Sequence, residues 1–208
     1  MIKYRNNQRG FTILELLIVI VVIGVLAALV LNAFGNAQAK ARNAVISRTV
    51  KQYESALLQY HADHGSYPAI NGNNINAGTC VGTGYKDRNN NGQGDCNLFT
   101  VSQESDSEFN DALKPYFSDA LPPAGNHEVD PGNGNTWQGF LFAYSPELKI
   151  NGNSIGTNFL VFLLEGNDQD CKHASLKPAT SWPNFESIDT KNSGNFGTAT
   201  ACMFQLPE

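Results

Sequence analysis

A polar run in the middle of the chain has the spacing of a calcium-binding loop. Side chains that carry oxygen stand at its first, third, fifth and ninth positions, and Gly92 stands at the sixth, where such loops turn sharply. The main-chain carbonyl of the seventh position is a further candidate ligand. The twelfth position is Leu98 instead of a bidentate glutamate, so an ordinary asparagine-rich turn is the alternative. The predicted calcium ligands are Asp87, Asn89, Asn91, Gln93 and Asp95.

One acidic residue, Glu15, interrupts an otherwise apolar run at residues 11–31. A charged side chain near the middle of a bilayer costs about 2.5 to 3.5 kcal/mol on insertion scales, so this residue suggests a function. In one interpretation, the carboxylate lies near the cytoplasmic end of the run and reaches the lipid headgroups. In the other, it pairs with a partner inside a protein assembly.

The four cysteines all lie beyond residue 79, and their even number is compatible with two disulfide bonds in an oxidising compartment. Three connectivities are formally possible. The favoured one pairs Cys80 with Cys96 and Cys171 with Cys202, because each pair is closer in sequence than any alternative. Each bond would close a loop-rich segment.

The sequence contains no recognisable catalytic motif. His61, Asp63 and His64 stand together, but they fit the last polar turn of a helix, where the helix dipole favours histidine. No glycine-rich phosphate loop follows a predicted strand, and Cys80 and Cys96 are too far apart for Cys-x-x-Cys chemistry. We therefore expect the protein not to be an enzyme.

Length and charge limit the classes of protein that need to be considered. The chain has 208 residues, which indicates one compact domain with an appendage. Its net charge of -5 disfavours a general nucleic-acid binder, and the charge is unevenly distributed, +4 over residues 1–64 and -9 over residues 65–208. Asn and Gly fill 43 positions, which is typical of a loop-rich β domain with many turns.

The amino-terminal segment has the pattern of a membrane-inserted helix. Residues 1–10 contain Lys3, Arg5 and Arg9 and no acid, and the apolar run follows directly. Twenty-one helical residues span about 31 Å, close to the thickness of the bilayer hydrocarbon. The basic flank predicts a cytoplasmic amino terminus and an exported remainder. A secretory signal peptide cleaved near Ala37, Ala39 or Ala41 is an alternative, which Glu15 disfavours.

The residues RGFTILE at positions 9–15 resemble the prepilin leader of type IV pilins and type II secretion pseudopilins. The resemblance is close over about residues 5–34, and Asn32 departs from it because many members of the family have a proline there. It implies that a prepilin peptidase cleaves between Gly10 and Phe11 on the cytoplasmic side and that Phe11 is then N-methylated. It also implies that the subunit moves from the inner membrane into a helical fibre.

In such a fibre, the resemblance places Glu15 opposite the Phe11 amino group of a neighbouring subunit. A carboxylate and a protonated amine that are buried together cost far less than either buried alone. The implied partners are other copies of the chain, other pilins, the prepilin peptidase, the inner-membrane assembly machinery and membrane lipid before assembly. A disulfide near the carboxy terminus pins the last strand in pilins, and pairing of Cys171 with Cys202 resembles that arrangement.

The remaining pattern predicts an α+β fold, in which a long helix packs its second half on an antiparallel sheet. The predicted regions are a leader at residues 1–10, an apolar helix at 11–34, an amphipathic helix at 35–65 and a disulfide-stapled β head at 66–208. Gly65 and Pro68 end the helix. Residues 67–103 read as a long loop, 105–116 as a short helix, and 138–144, 158–164 and 201–206 as strands. The apolar stripe of the amphipathic helix comprises Ile46, Val50, Tyr53, Leu57 and Tyr60.

The predicted function is a structural subunit of a type IV pilus or pseudopilus that serves adhesion, motility, DNA uptake or secretion. Two alternatives remain open at this point. One is a membrane-tethered, exported module that binds calcium or glycans and does not polymerise. The other is an extracellular enzyme released by signal peptidase near Ala39. The sequence does not separate a major pilin from a minor pilin or a pseudopilin.

Overall fold

The computed structural model describes most of the chain and divides it into two compact units, Met1–Ala39 and Lys40–Glu208. The described residues are 11–70, 77–87, 90, 92, 94–96, 104–118, 120–130, 137–145, 149–150, 153–154, 157–171, 176–178, 184–187, 194–196 and 198–207. Gly10, Asn89, Asn91 and Gln93, for which the sequence predicts functions, lie outside this set.

A single long helix, α1 (Ile13–His64), begins the described chain and extends over 52 residues. It ends as the sequence predicts. Gly65 follows the last turn with a φ of 71°, a left-handed conformation that glycine adopts without a steric penalty. The Gly65 N–H donates to the carbonyl of His61 at 2.8 Å, which satisfies one of the last helical carbonyls.

The second half of α1 buries the predicted apolar stripe in the core of the second unit. Ile46, Val50, Tyr53 and Leu57 are all at most 2% exposed, while Tyr60 is half-buried near the helix end. Lys51 and Gln59 are exposed on the other face. Arg42 is also exposed, but it lies on the same side of the helix as Ile46 and binds Glu165. The 3.6-residue periodicity therefore identified the buried face correctly.

Eleven short strands follow along the described chain. They are β1 (Ala77–Val81), β2 (Glu128–Val129), β3 (Trp137–Gln138), β4 (Phe140–Ser145), β5 (Lys149–Ile150), β6 (Asn153–Ser154), β7 (Thr157–Glu165), β8 (Leu176–Pro178), β9 (Asn184–Ser187), β10 (Gly194–Phe196) and β11 (Ala199–Leu206). The main sheet has the order β1-β4-β7-β11-β8-β9-β5-β6, with β10 also paired to β11, and β2 and β3 form a separate pair.

The sheet confirms the predicted α+β architecture. The pairs β1–β4, β4–β7 and β7–β11 are antiparallel and contain the three strands that alternation and apolar runs predict. The pair β5–β9 is parallel, which the sequence analysis did not anticipate. Every described residue of β7 from Phe159 to Leu164 is buried, because this strand lies between β4 and β11 with its side chains covered on both faces.

The interpretation of residues 67–103 as one long loop is wrong in part, since β1 lies within it. This strand reads AGTCV, which has a glycine and no clear alternation of apolar and polar residues. Its pairing with β4 joins residues more than 55 positions apart, from Val81 with Phe140 to Ala77 with Tyr144. A contact between distant segments, rather than a local preference, makes this segment a strand.

The predicted short helix is present as α2 (Ser107–Leu113), followed by a 3-10 turn at Lys114–Tyr116. Asp106 caps it by accepting hydrogen bonds from the N–H groups of Glu108 and Phe109. The buried Asn110 side chain ties α2 to β1, because its amide donates to the carbonyl of Cys80 at 3.1 Å and accepts from the N–H of Gly82 at 2.6 Å.

Candidate functional site

The front of α1 presents an apolar surface that nothing in its own unit covers. Sixteen large apolar side chains between Phe11 and Phe34 are each at least 50% exposed. Burying a side chain of this size is worth roughly 1.5 to 3 kcal/mol, so the exposed set corresponds to tens of kcal/mol in water. Of the helices in the described residues, Ile13–His64 is long and apolar enough to cross a bilayer. This surface needs lipid or protein around it.

Thr12 and Glu15 form a reciprocal cap at the start of α1. The Thr12 main-chain N–H and its Oγ1 hydroxyl donate to Glu15 Oε2 at 2.9 and 2.8 Å. In return, the Glu15 N–H donates to Thr12 Oγ1 at 3.2 Å. This arrangement is a capping box, which satisfies amide groups that the first helical turn otherwise leaves without partners.

The capping box gives Glu15 a contact within its own chain, which the sequence analysis did not predict. The signal was present in the sequence, since a Thr followed three residues later by Glu before an apolar run is the pattern of such a box. Glu15 is exposed, as is Phe11 at 84%. The carboxylate is therefore hydrogen-bonded within the chain and accessible to a second partner.

Within the second unit, two consecutive polar residues join its part of α1 to the end of β7. Asn43 is buried and makes a double hydrogen bond to the main chain of Glu165, donating to its carbonyl at 2.9 Å and accepting from its N–H at 2.8 Å. Arg42 binds the carboxylate of the same residue through Nε and Nη2, and this partner raises the pKa of the guanidinium. Residues 122 and 123 positions apart are joined in this way.

The four cysteines form two disulfide bonds in the second unit. Cys80 in β1 is bonded to Cys96, and Cys171, after β7, is bonded to Cys202 in β11. This is the connectivity that the sequence favours. The first bond closes the segment that contains the predicted calcium loop. The second joins the turn after β7 to the last strand, and all four residues are buried.

The predicted calcium loop is described at Asp87, Asn90, Gly92 and Asp95. The Gly92 N–H donates to Asp87 Oδ2 at 2.8 Å, and both Gly92 and Asn90 have positive φ, so the chain turns sharply where the template requires it. Asp87 is exposed and Asp95 is buried. The other three predicted ligands, Asn89, Asn91 and Gln93, lie outside the described residues. Among the residues that are described, no group of three or more His, Cys, Asp or Glu side chains is placed to hold a metal ion.

The polar cluster at the end of α1 packs on aromatic rings. His64 stacks on Tyr60 with ring centroids 4.1 Å apart, and His61 stacks on Tyr67 at 4.6 Å. Asp63 accepts a hydrogen bond from the Tyr116 hydroxyl at 2.9 Å. Burial raises the pKa of Tyr67 to about 12, and its hydroxyl donates to the carbonyl of Pro207 at 2.7 Å. These contacts give the cluster a role in packing.

Comparison with known proteins places the amino-terminal segment in a defined class. The family described as the prokaryotic N-terminal methylation motif matches residues 5–31. A fimbrial protein of Neisseria meningitidis serogroup B is 37% identical over 79 residues, 38% of this chain and 45% of the relative. The type II secretion system core protein G of Klebsiella michiganensis is 48% identical over 65 residues, 31% of this chain and 45% of the relative.

A type IV major pilin protein PilE1 of Neisseria gonorrhoeae is 38% identical over 71 residues, 34% of this chain and 41% of the relative. The chain thus spans less than half the length of each of these relatives. No solved structure matches. The predicted resemblance is confirmed: the chain carries a prokaryotic N-terminal methylation motif and is similar, over about a third of its length, to type IV pilins and type II secretion pseudopilins.

Proposed function

We propose that this chain is a structural subunit of a type IV pilus or a type II secretion pseudopilus. The observation that carries the proposal is the apolar front of α1, which is exposed along its length and ends in a capped glutamate at the amino terminus. An apolar helix of this length is stable in lipid before assembly and among other helices of the same kind after it. The similarity to pilins and pseudopilins supports both environments.

The proposed life cycle begins at the inner membrane, with the amino terminus in the cytoplasm and the head outside. A prepilin peptidase cleaves between Gly10 and Phe11, and the new amino group of Phe11 is methylated. The methylation motif at residues 5–31 supports this step. The inner-membrane assembly machinery then moves the subunit into a fibre with copies of itself and other pilins, outside the cell or across the periplasm.

Mass spectrometry of the mature chain tests the processing step. We expect a protein of 198 residues that begins with N-methylated Phe11. A Gly10→Val variant should remain uncleaved in the membrane, because a peptidase that cuts beside residue 10 needs a small side chain there. Asn7→Val, a matched change within the leader, should be processed normally. A mature terminus near Ala39 would instead indicate a secreted protein, and an uncleaved wild-type chain would favour a tethered module.

Within the fibre, we propose that Glu15 pairs with the Phe11 amino group of a neighbouring subunit. The exposed carboxylate supports this role, since a charge in an apolar assembly requires an opposite charge nearby. Glu15→Gln keeps the shape and removes the charge, so it should be exported and cleaved but should lower the yield of fibres. Unchanged fibre yield, and unchanged incorporation beside wild-type subunits, would contradict the pairing.

We also propose that the loop between Cys80 and Cys96 binds one calcium ion through Asp87, Asn89, Asn91, Gln93 and Asp95. The supporting observation is the Gly92–Asp87 hydrogen bond, which folds the loop around its first predicted ligand. With neutral asparagines at two positions and no bidentate glutamate, affinity should be weak, in the range of extracellular sites. The ion would order the loop of the head.

The composition of sheared fibres distinguishes the classes of subunit. A major pilin should account for most of the protein in the fibre fraction, whereas a minor pilin should be a small fraction of it. A pseudopilin should form periplasmic structures only, and its deletion should block secretion of exported proteins. The effect of the deletion also separates secretion from adhesion, motility and DNA uptake as the use of the fibre.

A further inference from the structure

A basic stripe runs along the exposed face of α1 within the second unit. We define it as Lys40, Arg48 and Lys51, with Ala44 between the first two. The spacing of four, four and three residues places all four on one side of a helix. All four are exposed, and the opposite side of the helix is the one that buries Ile46 and Tyr53.

Few acidic groups among the described residues compensate the positive charge of the basic stripe. No acidic residue occurs between Glu15 and Glu54. Arg42, which points to the other side of the helix, binds Glu165, but Lys40 and Arg48 make no ion pair with the described residues. Lys51 interacts electrostatically with Glu54 and lowers its pKa, in opposition to burial, which raises it more. A stripe of this kind is available to an acidic partner.

The head provides an acidic surface at α2. The segment from Glu104 to Asp111 contains four acidic residues, and residues 65–208 as a whole carry a net charge of -9. Glu108 and Asp111 are exposed and lie three residues apart, on the same side of α2. Asp111 pairs with Lys114 at 2.6 Å, but both side chains are about 60% exposed, and an exposed pair of this type exchanges partners at little cost.

We propose that the basic stripe of one subunit docks on the exposed acidic face of α2, Glu108 and Asp111, of a neighbouring copy. This inference rests on the proposed function, because polymerisation brings the two surfaces together. Apolar contact between the front helices is non-directional and does not by itself select one rotation of the head. A complementary arrangement of charges disfavours positions in which like charges meet, so this contact sets the register of adjacent heads.

Other acidic partners fit the observations less well. A nucleic acid would meet the stripe against the repulsion of the acidic head. An anionic membrane would attract the stripe but would leave the acidic face of α2 unexplained. A second copy accounts for both surfaces with one contact.

Charge reversal in the full chain, expressed in cells that assemble wild-type fibres, tests the contact. The variant Lys40→Glu/Arg48→Glu/Lys51→Glu should be cleaved before Phe11 at the wild-type rate and should give at least tenfold fewer fibres. Adding Glu108→Lys/Asp111→Lys should restore most of the yield. Adding Asp130→Lys/Asp170→Lys, the same change of charge at two other exposed positions of the head, should not restore it.

Zero-length carbodiimide crosslinking of wild-type fibres gives a second readout that does not depend on the folding of a variant. It should join Lys40 or Lys51 to Glu108 or Asp111, and the link should disappear when subunits are dispersed in detergent. Wild-type yield of the reversed variant, rescue by the Asp130/Asp170 change, or absence of these links in fibres would overturn the inference. The inference would also be overturned if the only effect of the charge reversal were that the chain no longer binds vesicles of anionic lipid. If wild-type chains form no fibres at all, the proposed function itself is refuted, which distinguishes that outcome from failure of this contact alone.

Discussion

The carboxylate of Glu15 accepts two hydrogen bonds from Thr12, one from its main-chain N–H at 2.9 Å and one from its hydroxyl at 2.8 Å. In the isolated subunit, Glu15 is thus held at the first turn of the helix that it belongs to. A neighbouring Phe11 amino group would have to share this carboxylate with Thr12 or displace it. On the proposed function, the same glutamate would cap the helix before assembly and pair with the amine in the fibre.

Replacing Thr12 by Val removes the hydroxyl that links residues 12 and 15 at nearly constant shape. Loss of an N-cap costs about 1 kcal/mol, so the first turn of α1 should open about five times more often. Hydrogen exchange of the first amides of α1 in detergent micelles measures this opening. Thr12→Ser keeps the oxygen and should exchange at the wild-type rate. Equal rates for the Val and Ser variants would contradict the capping role.

Asn43→Ala should destabilise the head, because it leaves the N–H and carbonyl of Glu165 without their partners in a part-buried site. The expected loss is about 1 to 3 kcal/mol in the free energy of unfolding. Thermal unfolding of the full chain in detergent provides the measurement. Gln52→Ala, on an exposed position of the same helix, is the control and should change little. Similar losses in the two variants would mean that the contact with Glu165 is not stabilising.

The two disulfide bonds should stabilise the head by restricting the unfolded chain. They close segments with sequence separations of 16 and 31 residues. On the chain-entropy model, each is worth roughly 3 to 4 kcal/mol. We expect the midpoint of denaturant unfolding to fall, by the denaturant concentration that corresponds to this free energy, in each of two double variants, Cys80→Ser/Cys96→Ser and Cys171→Ser/Cys202→Ser. An unchanged midpoint in both variants, and in the wild-type protein after its disulfides are reduced, would refute the prediction.

Calcium should stabilise the folded chain if the loop between Cys80 and Cys96 binds it. If the dissociation constant is on the order of 10⁻⁴ M, calcium at about 100 times that concentration adds roughly 2.7 kcal/mol to the free energy of unfolding. The melting temperature should rise accordingly. Asp87→Asn keeps an oxygen for the Gly92 N–H but removes a charge, so the rise should shrink or vanish. Magnesium serves as the control ion, because it requires a tighter octahedral shell. If the melting temperature of the wild-type chain responds to neither calcium nor chelator, the loop is an ordinary asparagine-rich turn that binds no calcium.

His127 should make the head less stable in mild acid. Partial burial beside the Phe140 ring lowers the pKa of the imidazole below its ordinary value of 6.5. The unfolded chain therefore binds a proton more readily than the folded one, and stability falls as the pH drops below 6.5 through the lowered pKa. Melting temperatures between pH 7.5 and 5 should show the decline, and His127→Gln should reduce its slope. A slope that the variant leaves unaltered would exclude this histidine as the cause.

Local pattern alone was sufficient for several parts of this protein. The leader-like RGFTILE sequence, the apolar front of α1, its buried stripe and its end before Gly65 could all be predicted, because each depends on residues within a few turns of helix. Strands β4, β7 and β11 were predicted for the same reason, since their apolar runs are local. The cap formed by Thr12 also depends on local pattern, because Thr12 and Glu15 have the spacing of a capping box, but it was not predicted.

The tertiary structure decided the features that join distant parts of the chain. The segment of β1 is a strand only because β4 pairs with it, and the buried Asn43 finds its hydrogen-bond partner in Glu165, 122 positions away. Among three possible disulfide connectivities, the fold brings Cys80 to Cys96 and Cys171 to Cys202. Periodicity and spacing report the preferences of neighbouring residues. Contacts across more than a hundred residues depend instead on which surfaces the whole chain can bury together, and this is settled only when it folds.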